Sequence, residues 1–296
     1  MKNSSNEIRG IIYIILSGFL YGFLGFFGYG ALQSSGDIAN MLFWRFLIAG
    51  VFIALVMLPK LKEIRIDIPV MLIILVASAI FYGTSTYAFF YSSTYIGTGL
   101  AMVIFFTYPA IVVLCNRFFY KHNIHKSYYI SAVLIVLGLL FLADIGKDFH
   151  FFGILLGLLS AAGYALYIMA SKKYNQLHPL LSALMVSIGC CIYCFIYAFS
   201  AKTFTVPADS AFWLHSLGLG IISTAIPILL LLEGLKYISS EKASILGVLE
   251  PVFVVLVGVL LLGEELKFLQ ITGVIIVLGG ALLALGVNKE TNTDCD

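Results

Sequence analysis

Charge is what this sequence has least of. Asp, Glu, Lys and Arg make up 11% of its 296 residues, against about a quarter in an ordinary soluble domain. No polar stretch is long enough to give a helix bundle or sheet a solvated surface. With 61% hydrophobic residues and a mean hydropathy of +1.05, a water-soluble fold of this length is excluded. The net charge of +2 comes with no basic patch, so no nucleic-acid partner is expected. Cysteine is scarce. Cys190, Cys191 and Cys194 share one apolar run that carries no His, Asp or Glu, so they read as small packing residues rather than as a metal site or disulfide. Each His (His122, His125, His150, His178, His215) lies in a loop or at a helix end, and neither G-x-S-x-G nor H-E-x-x-H occurs. This argues against an intramembrane enzyme, and no metal or cofactor is expected. A sensor would carry a soluble output domain, and none is left over; a channel would need a pore ring, usually built from several copies.

What fills the chain instead is a series of apolar stretches of roughly 20 residues, the length that carries an α-helix through a bilayer. Ten are read: Ile11–Ala31, Ala39–Leu58, Pro69–Tyr91, Thr98–Phe118, Tyr128–Ala143, Phe151–Ala170, Pro179–Phe199, Ala211–Gly234, Ala243–Leu262 and Phe268–Val287. The first follows a little basic charge, Lys2 and Arg9, but is too long for a signal peptide and has no small-residue cleavage site after it, so it reads as an uncleaved helix. Basic loops resist translocation. Placing the amino terminus in the cytoplasm puts thirteen of the 17 basic residues inside and only Lys147, Lys202 and Lys267 outside, with Arg45 left within the second stretch. Both termini are therefore expected in the cytoplasm of a multi-pass protein of the cell (inner) membrane.

The chain also resembles itself. A shift of 142 residues lays Ile96–Leu140 over Ile238–Leu282, matching Ala101 with Ala243, Pro109 with Pro251 and Gly138 with Gly280. A shift of 143 lays Gly10, Ser17 and Tyr21 over Gly153, Ser160 and Tyr164. Each copy holds five stretches, an odd number, so the second enters the membrane the other way up. The expected fold is all-α, ten transmembrane helices in two inverted five-helix repeats, over residues 1–145 and 146–296. Inverted repeats are the architecture of secondary transporters, which rock one half against the other around a central site.

The segment Leu235–Glu264, LKYISSEKASILGVLEPVFVVLVGVLLLGE, resembles the signature of the EamA-type branch of the drug/metabolite transporter superfamily: an Ala-Ser step (Ala243-Ser244), a Glu-Pro pair (Glu250-Pro251) and an apolar run closed by Leu-Gly-Glu (Leu262-Gly263-Glu264). Arg45-Phe46 and Tyr108-Pro109 stand in the partner copy, and the resemblance spans essentially the full chain. It implies a membrane transporter of small organic metabolites, an amino acid or related compound, with S-adenosylmethionine or a nucleotide-like metabolite as the alternative substrate class. Exchange or ion coupling, with protons as a possible partner, is left open.

Glu250 is the costliest residue here, lying about 3 Å from the centre of its helix, where an ionisable group costs about 2.5–3.5 kcal/mol to insert. It is either a proton or cationic-substrate site, or a helix–helix hydrogen bond at the weak point that Pro251 creates. Pro109 and Pro251 are the expected hinges, and Tyr108 is the repeat mate of Glu250. Arg45 cannot shed its charge, and reads as a structural clamp before a substrate ligand. Glu233, three residues before Lys236, reads as a surface ion pair. Tyr21, Tyr164, Tyr82, Tyr87, Phe105 and Phe106 are the candidate walls of an aromatic pocket.

Overall fold

A computed structural model describes residues 2–35, 37–119, 125–142, 150–262 and 268–285. Lys121, His122, Lys147, Gly263, Glu264, Lys267 and Lys289, used above for orientation, for the inventory of histidines or for the family motif, lie outside the described residues. Among the described residues, ten helices cross the molecule, some of them interrupted. The first is split into α1a (Lys2–Tyr21) and α1b (Leu24–Ser35); α2 is Ile38–Met57 and ends in a 3₁₀ turn, Leu58–Glu63. Next come α3 (68–96), α4a (98–105) and α4b (Tyr108–Phe119), then α5 (Lys126–Leu142). The second repeat runs α6 (Phe151–Lys173), α7 (Pro179–Ser200), α8 (Ser210–Tyr237), α9a (Ser240–Gly247), α9b (Glu250–Leu262) and α10 (Phe268–Leu285). Six of the helical stretches are long and apolar enough to span a membrane by length and composition alone.

The repeat seen in the sequence is exact enough to reproduce individual contacts. The Cβ that an alanine would place at Gly10 falls 2.8 Å from Tyr237 Cβ, and that at Gly153 falls 2.8 Å from Tyr95 Cβ; Tyr95 and Tyr237 are 142 residues apart. Ser17 donates to the carbonyl of Pro227 at 2.8 Å, and its mate Ser160 to the carbonyl of Ser85, also at 2.8 Å. The main packed pairs follow the same relation: α1 lies on α8 as α6 lies on α3, while α2–α7 and α5–α10 pair across the pseudo-two-fold. Small residues carry these approaches, as expected where lipid supplies no hydrophobic drive between helices. The outer surface stays apolar, with Phe118 73%, Leu214 71%, Leu260 72% and Phe268 83% exposed, a surface that only lipid would solvate.

Several of the helices are interrupted. α4 breaks at Phe106-Thr107 and α9 at Val248-Leu249, positions 142 residues apart, because Pro109 and Pro251 each remove an amide that would have bonded the preceding turn. α3 and α8 each loosen into a π-helical turn, Ser78–Gly83 and Gly218–Ala225. Between α3 and α4 the chain turns at Gly97, whose φ of 76° favours glycine. The break in α1 has no proline: Gly22 bonds both Gly18 O and Phe19 O, and a Cβ there would sit 3.0 Å from Phe253 Cβ. Its mate in α6, Ala165, is fully buried in an unbroken helix.

Candidate functional site

The breaks converge on one cavity of 230 Å³. Tyr21, Gly25, Gly28, Tyr29 and Leu32 of α1 form one wall, and Tyr82, Ser85, Thr86, Phe89 and Ser93 of α3 another. Thr98, Met102, Phe105 and Phe106 of α4 close the third side, while Arg45, Tyr164 and Glu250 reach in from α2, α6 and α9. Apart from Tyr164 and Glu250, near the middles of their helices, these residues occupy the half of each helix toward the face opposite the amino terminus. The cavity therefore extends toward the far face of the molecule, where α1b ends and α4a begins.

Most candidate residues meet here. The Tyr21 and Tyr82 hydroxyls lie 3.3 Å apart; Tyr82 stacks on Tyr167 at 4.7 Å, and Phe105 packs on Tyr164 at 5.3 Å. Two candidates lie outside the cavity wall. Tyr108 is buried behind Tyr164, ring to ring at 4.8 Å, and donates to the carbonyl of Ser244 at 2.9 Å, so it ties α4b to α9a. Tyr87 faces α7, packed against Tyr91, Tyr193 and Tyr197. Glu233 pairs with Lys236 at 3.3 Å, both side chains about a third exposed, the surface pair expected from their spacing.

The two charges in the cavity are held differently. Arg45 is 1% exposed; its Nε donates to Thr224 Oγ1 at 2.6 Å, and that hydroxyl donates to the Leu219 carbonyl at 2.7 Å. The π turn of α8 opens the backbone there, which brings Thr224 round to meet the guanidinium. Glu250 begins α9b after the break, so its carboxylate also lies at a helix amino end. It makes no hydrogen bond or ion pair with any described residue. An unbonded carboxylate thus shares one cavity with a buried guanidinium.

Below the aromatic floor, toward the amino-terminal face, polar contacts between the two repeats, and one within the second between α6 and α8, close the molecule in a way that hydropathy and loop charge do not disclose. Lys242 pairs with Glu7 at 2.7 Å. Asn116 donates to Glu241 Oε1 at 2.6 Å and to Ser240 Oγ at 2.9 Å, and Lys172 donates to the carbonyls of Leu235 and Ile238 at 2.6 and 2.8 Å. Lys172 and Lys242 look like loop charges in the sequence; what marks Glu241 and Lys242 is their place directly before the Ala-Ser step.

The fold is found in a known structure. A solved crystal structure 19% identical in sequence superposes over 95% of this chain and 96% of its own with a TM-score of 0.77. An uncharacterized transporter of Archaeoglobus fulgidus is 32% identical over 133 residues, 45% of this chain and just under half, 47%, of that relative. The threonine/homoserine exporter RhtA of Escherichia coli (strain K12) is 28% identical over 72% of each chain. The pattern of the EamA-like transporter family matches twice, over residues 8–143 and 151–286, and this chain belongs to that family.

Proposed function

We propose that the chain is a secondary transporter that moves a zwitterionic metabolite of amino-acid type by alternating access between its two halves, 1–145 and 146–296. Glu250 pairs with the substrate ammonium. Arg45, anchored to Thr224 through Nε, presents its terminal nitrogens to the carboxylate. The aromatic wall of Tyr21, Tyr82, Phe105, Phe106 and Tyr164 takes the side chain. The observation that carries this reading is the pairing of an unbonded carboxylate and a buried guanidinium in one aromatic cavity. Size supports it: 230 Å³ is below the range of about 300–1,000 Å³ that houses drug-sized ligands, which favours a single amino acid over the larger S-adenosylmethionine. The exporter activity named for the Escherichia coli relative is consistent with it. One carboxylate holds either an ammonium or a proton, so exchange of substrate for protons is the coupling this site supports. The basic asymmetry of the loops favours cytoplasmic termini in the cell membrane, which makes the far face the outer one.

Counterflow in proteoliposomes tests the reading. Vesicles loaded with an unlabelled amino acid should accumulate its labelled form transiently and saturably, with S-adenosylmethionine competing poorly. Strong competition by S-adenosylmethionine alone would assign the site to the larger class, and flux that never saturates would mark a channel.

A further inference from the structure

One polar contact of the amino-terminal face has no counterpart among the described residues of the far face, toward which the cavity extends. On the amino-terminal face Lys172, near the end of α6, donates to the carbonyls of Leu235 and Ile238 at the end of α8, a cation on a helix carboxyl end. The same relation that pairs Gly10 with Gly153, Ser17 with Ser160 and Tyr21 with Tyr164 pairs Lys172 with Tyr29. The relation that pairs Tyr95 with Tyr237 makes Ser93 and Ile96 the mates of Leu235 and Ile238. Tyr29 and Ser93 both border the cavity. Yet Tyr29 is 68% exposed and its hydroxyl makes no hydrogen bond among the described residues.

We infer that Tyr29 is the latch of the far face: closing the cavity to that side brings its hydroxyl onto the carbonyl oxygens of Ser93 and Ile96, as Lys172 sits on those of Leu235 and Ile238. The inference rests on the transport reading above. The chain supplies the hinges. α1b is cut from α1a at Gly22-Phe23, and its Gly25 has nothing within 4 Å of where a Cβ would stand. Gly30 lies against His215, with a would-be Cβ 2.5 Å from Nδ1, so α1b carries the first turns of α8 with it. Those turns are separated from the rest of α8 by the π segment. A neutral hydroxyl replaces the ammonium of Lys172, and charge-assisted bonds are the stronger kind; the far face therefore unlatches more readily than the amino-terminal face, which accounts for the state seen.

A cysteine at Thr86 reports closure, because Thr86 lines the cavity about two helical turns below Ser93. In full-length protein in proteoliposomes, a membrane-impermeant maleimide added to the far face labels Thr86→Cys at a rate set by the open fraction. Tyr29→Lys, which copies the latch of the other face, should slow labelling about tenfold, the change expected when a charged donor replaces a neutral one in a two-state contact. Tyr29→Phe should speed it. Because Tyr29 is exposed, neither change threatens folding. A Tyr29→Cys, Ile96→Cys pair should also be joined by a short bifunctional thiol reagent. Equal labelling in the Lys, Phe and parent forms, with no cross-link, overturns the latch while parent flux stays intact. Absence of saturable flux in the parent overturns the transport reading whether or not labelling responds.

Discussion

At the scale of single residues, the proposed chemistry rests on two charges, and substitutions separate their roles. Glu250→Gln keeps size and a hydrogen-bonding group but removes the charge. If the carboxylate holds the substrate ammonium, affinity should fall about ten- to a hundredfold, the worth of a charged hydrogen bond of about 1.5–3 kcal/mol. Titration calorimetry of the purified protein with amino acids measures this. Should binding and exchange survive while uptake driven by a pH gradient disappears, Glu250 is a proton site alone. Arg45 does two things at once, so it needs two variants. Thr224→Val removes only the anchor and should lower the melting temperature with affinity nearly unchanged. Arg45→Leu loses anchor and ligand, and should lower folded yield further and abolish binding as well. A mutant that binds as before refutes the carboxylate role. Both charges are legible in the sequence because each is isolated in an apolar stretch; that Arg45 faces the same cavity as Glu250 is not, since that depends on a π turn in a helix six elements further on.

At the scale of elements, the proposed transport draws on the interruptions. A sequence reading finds the interruptions written in proline, because proline removes a bond wherever it stands. It misses the break at Gly22, where the backbone lies close against Phe253, and the two π turns, although Pro227 stands just after the one in α8. The seal of Glu7, Asn116, Lys172, Glu241 and Lys242 is missed for a related reason: near a helix end, a charge destined for burial looks the same as one that sets topology. The proline breaks give a direct test. Pro251→Ala restores an amide that can bond Gly247, so α9 should straighten, thermal stability should hold or rise, and transport should drop as Glu250 leaves the cavity. Undiminished flux would show that the break is only a packing accident. The Glu7–Lys242 pair is nearly buried on the lysine side, where removing one partner costs more than removing both. Glu7→Gln and Lys242→Met should each destabilise, and the double variant should fall short of their sum by about 0.5–3 kcal/mol in denaturant melts.

At the scale of the whole molecule, the inverted repeat does what neither half does alone. Each half is a five-helix unit that presents Tyr21 or Tyr164 toward one centre, whereas of the mates Tyr108 and Glu250 only Glu250 reaches the cavity. The two halves differ where the pseudo-two-fold is broken: a carboxylate in one place and a phenol in the other, a cut helix α1 and a whole helix α6. A symmetric molecule would offer the same opening to both faces; this one is sealed by charge on one side and open on the other. Which side is which depends on orientation, and the loops supply the argument. Moving a helix out of the count would reverse every later loop and scatter its basic residues across both faces, whereas ten crossings gather thirteen of 17 on one side. The expectation is that a reporter fused after Asp296 is active only in the cytoplasm, and one inserted in the loop between Lys202 and Ser210 only outside. Signals from the same side at both positions would break the ten-helix crossing pattern. Opposite signals with Asp296 outside would keep the fold but invert it, turning the open cavity toward the cytoplasm.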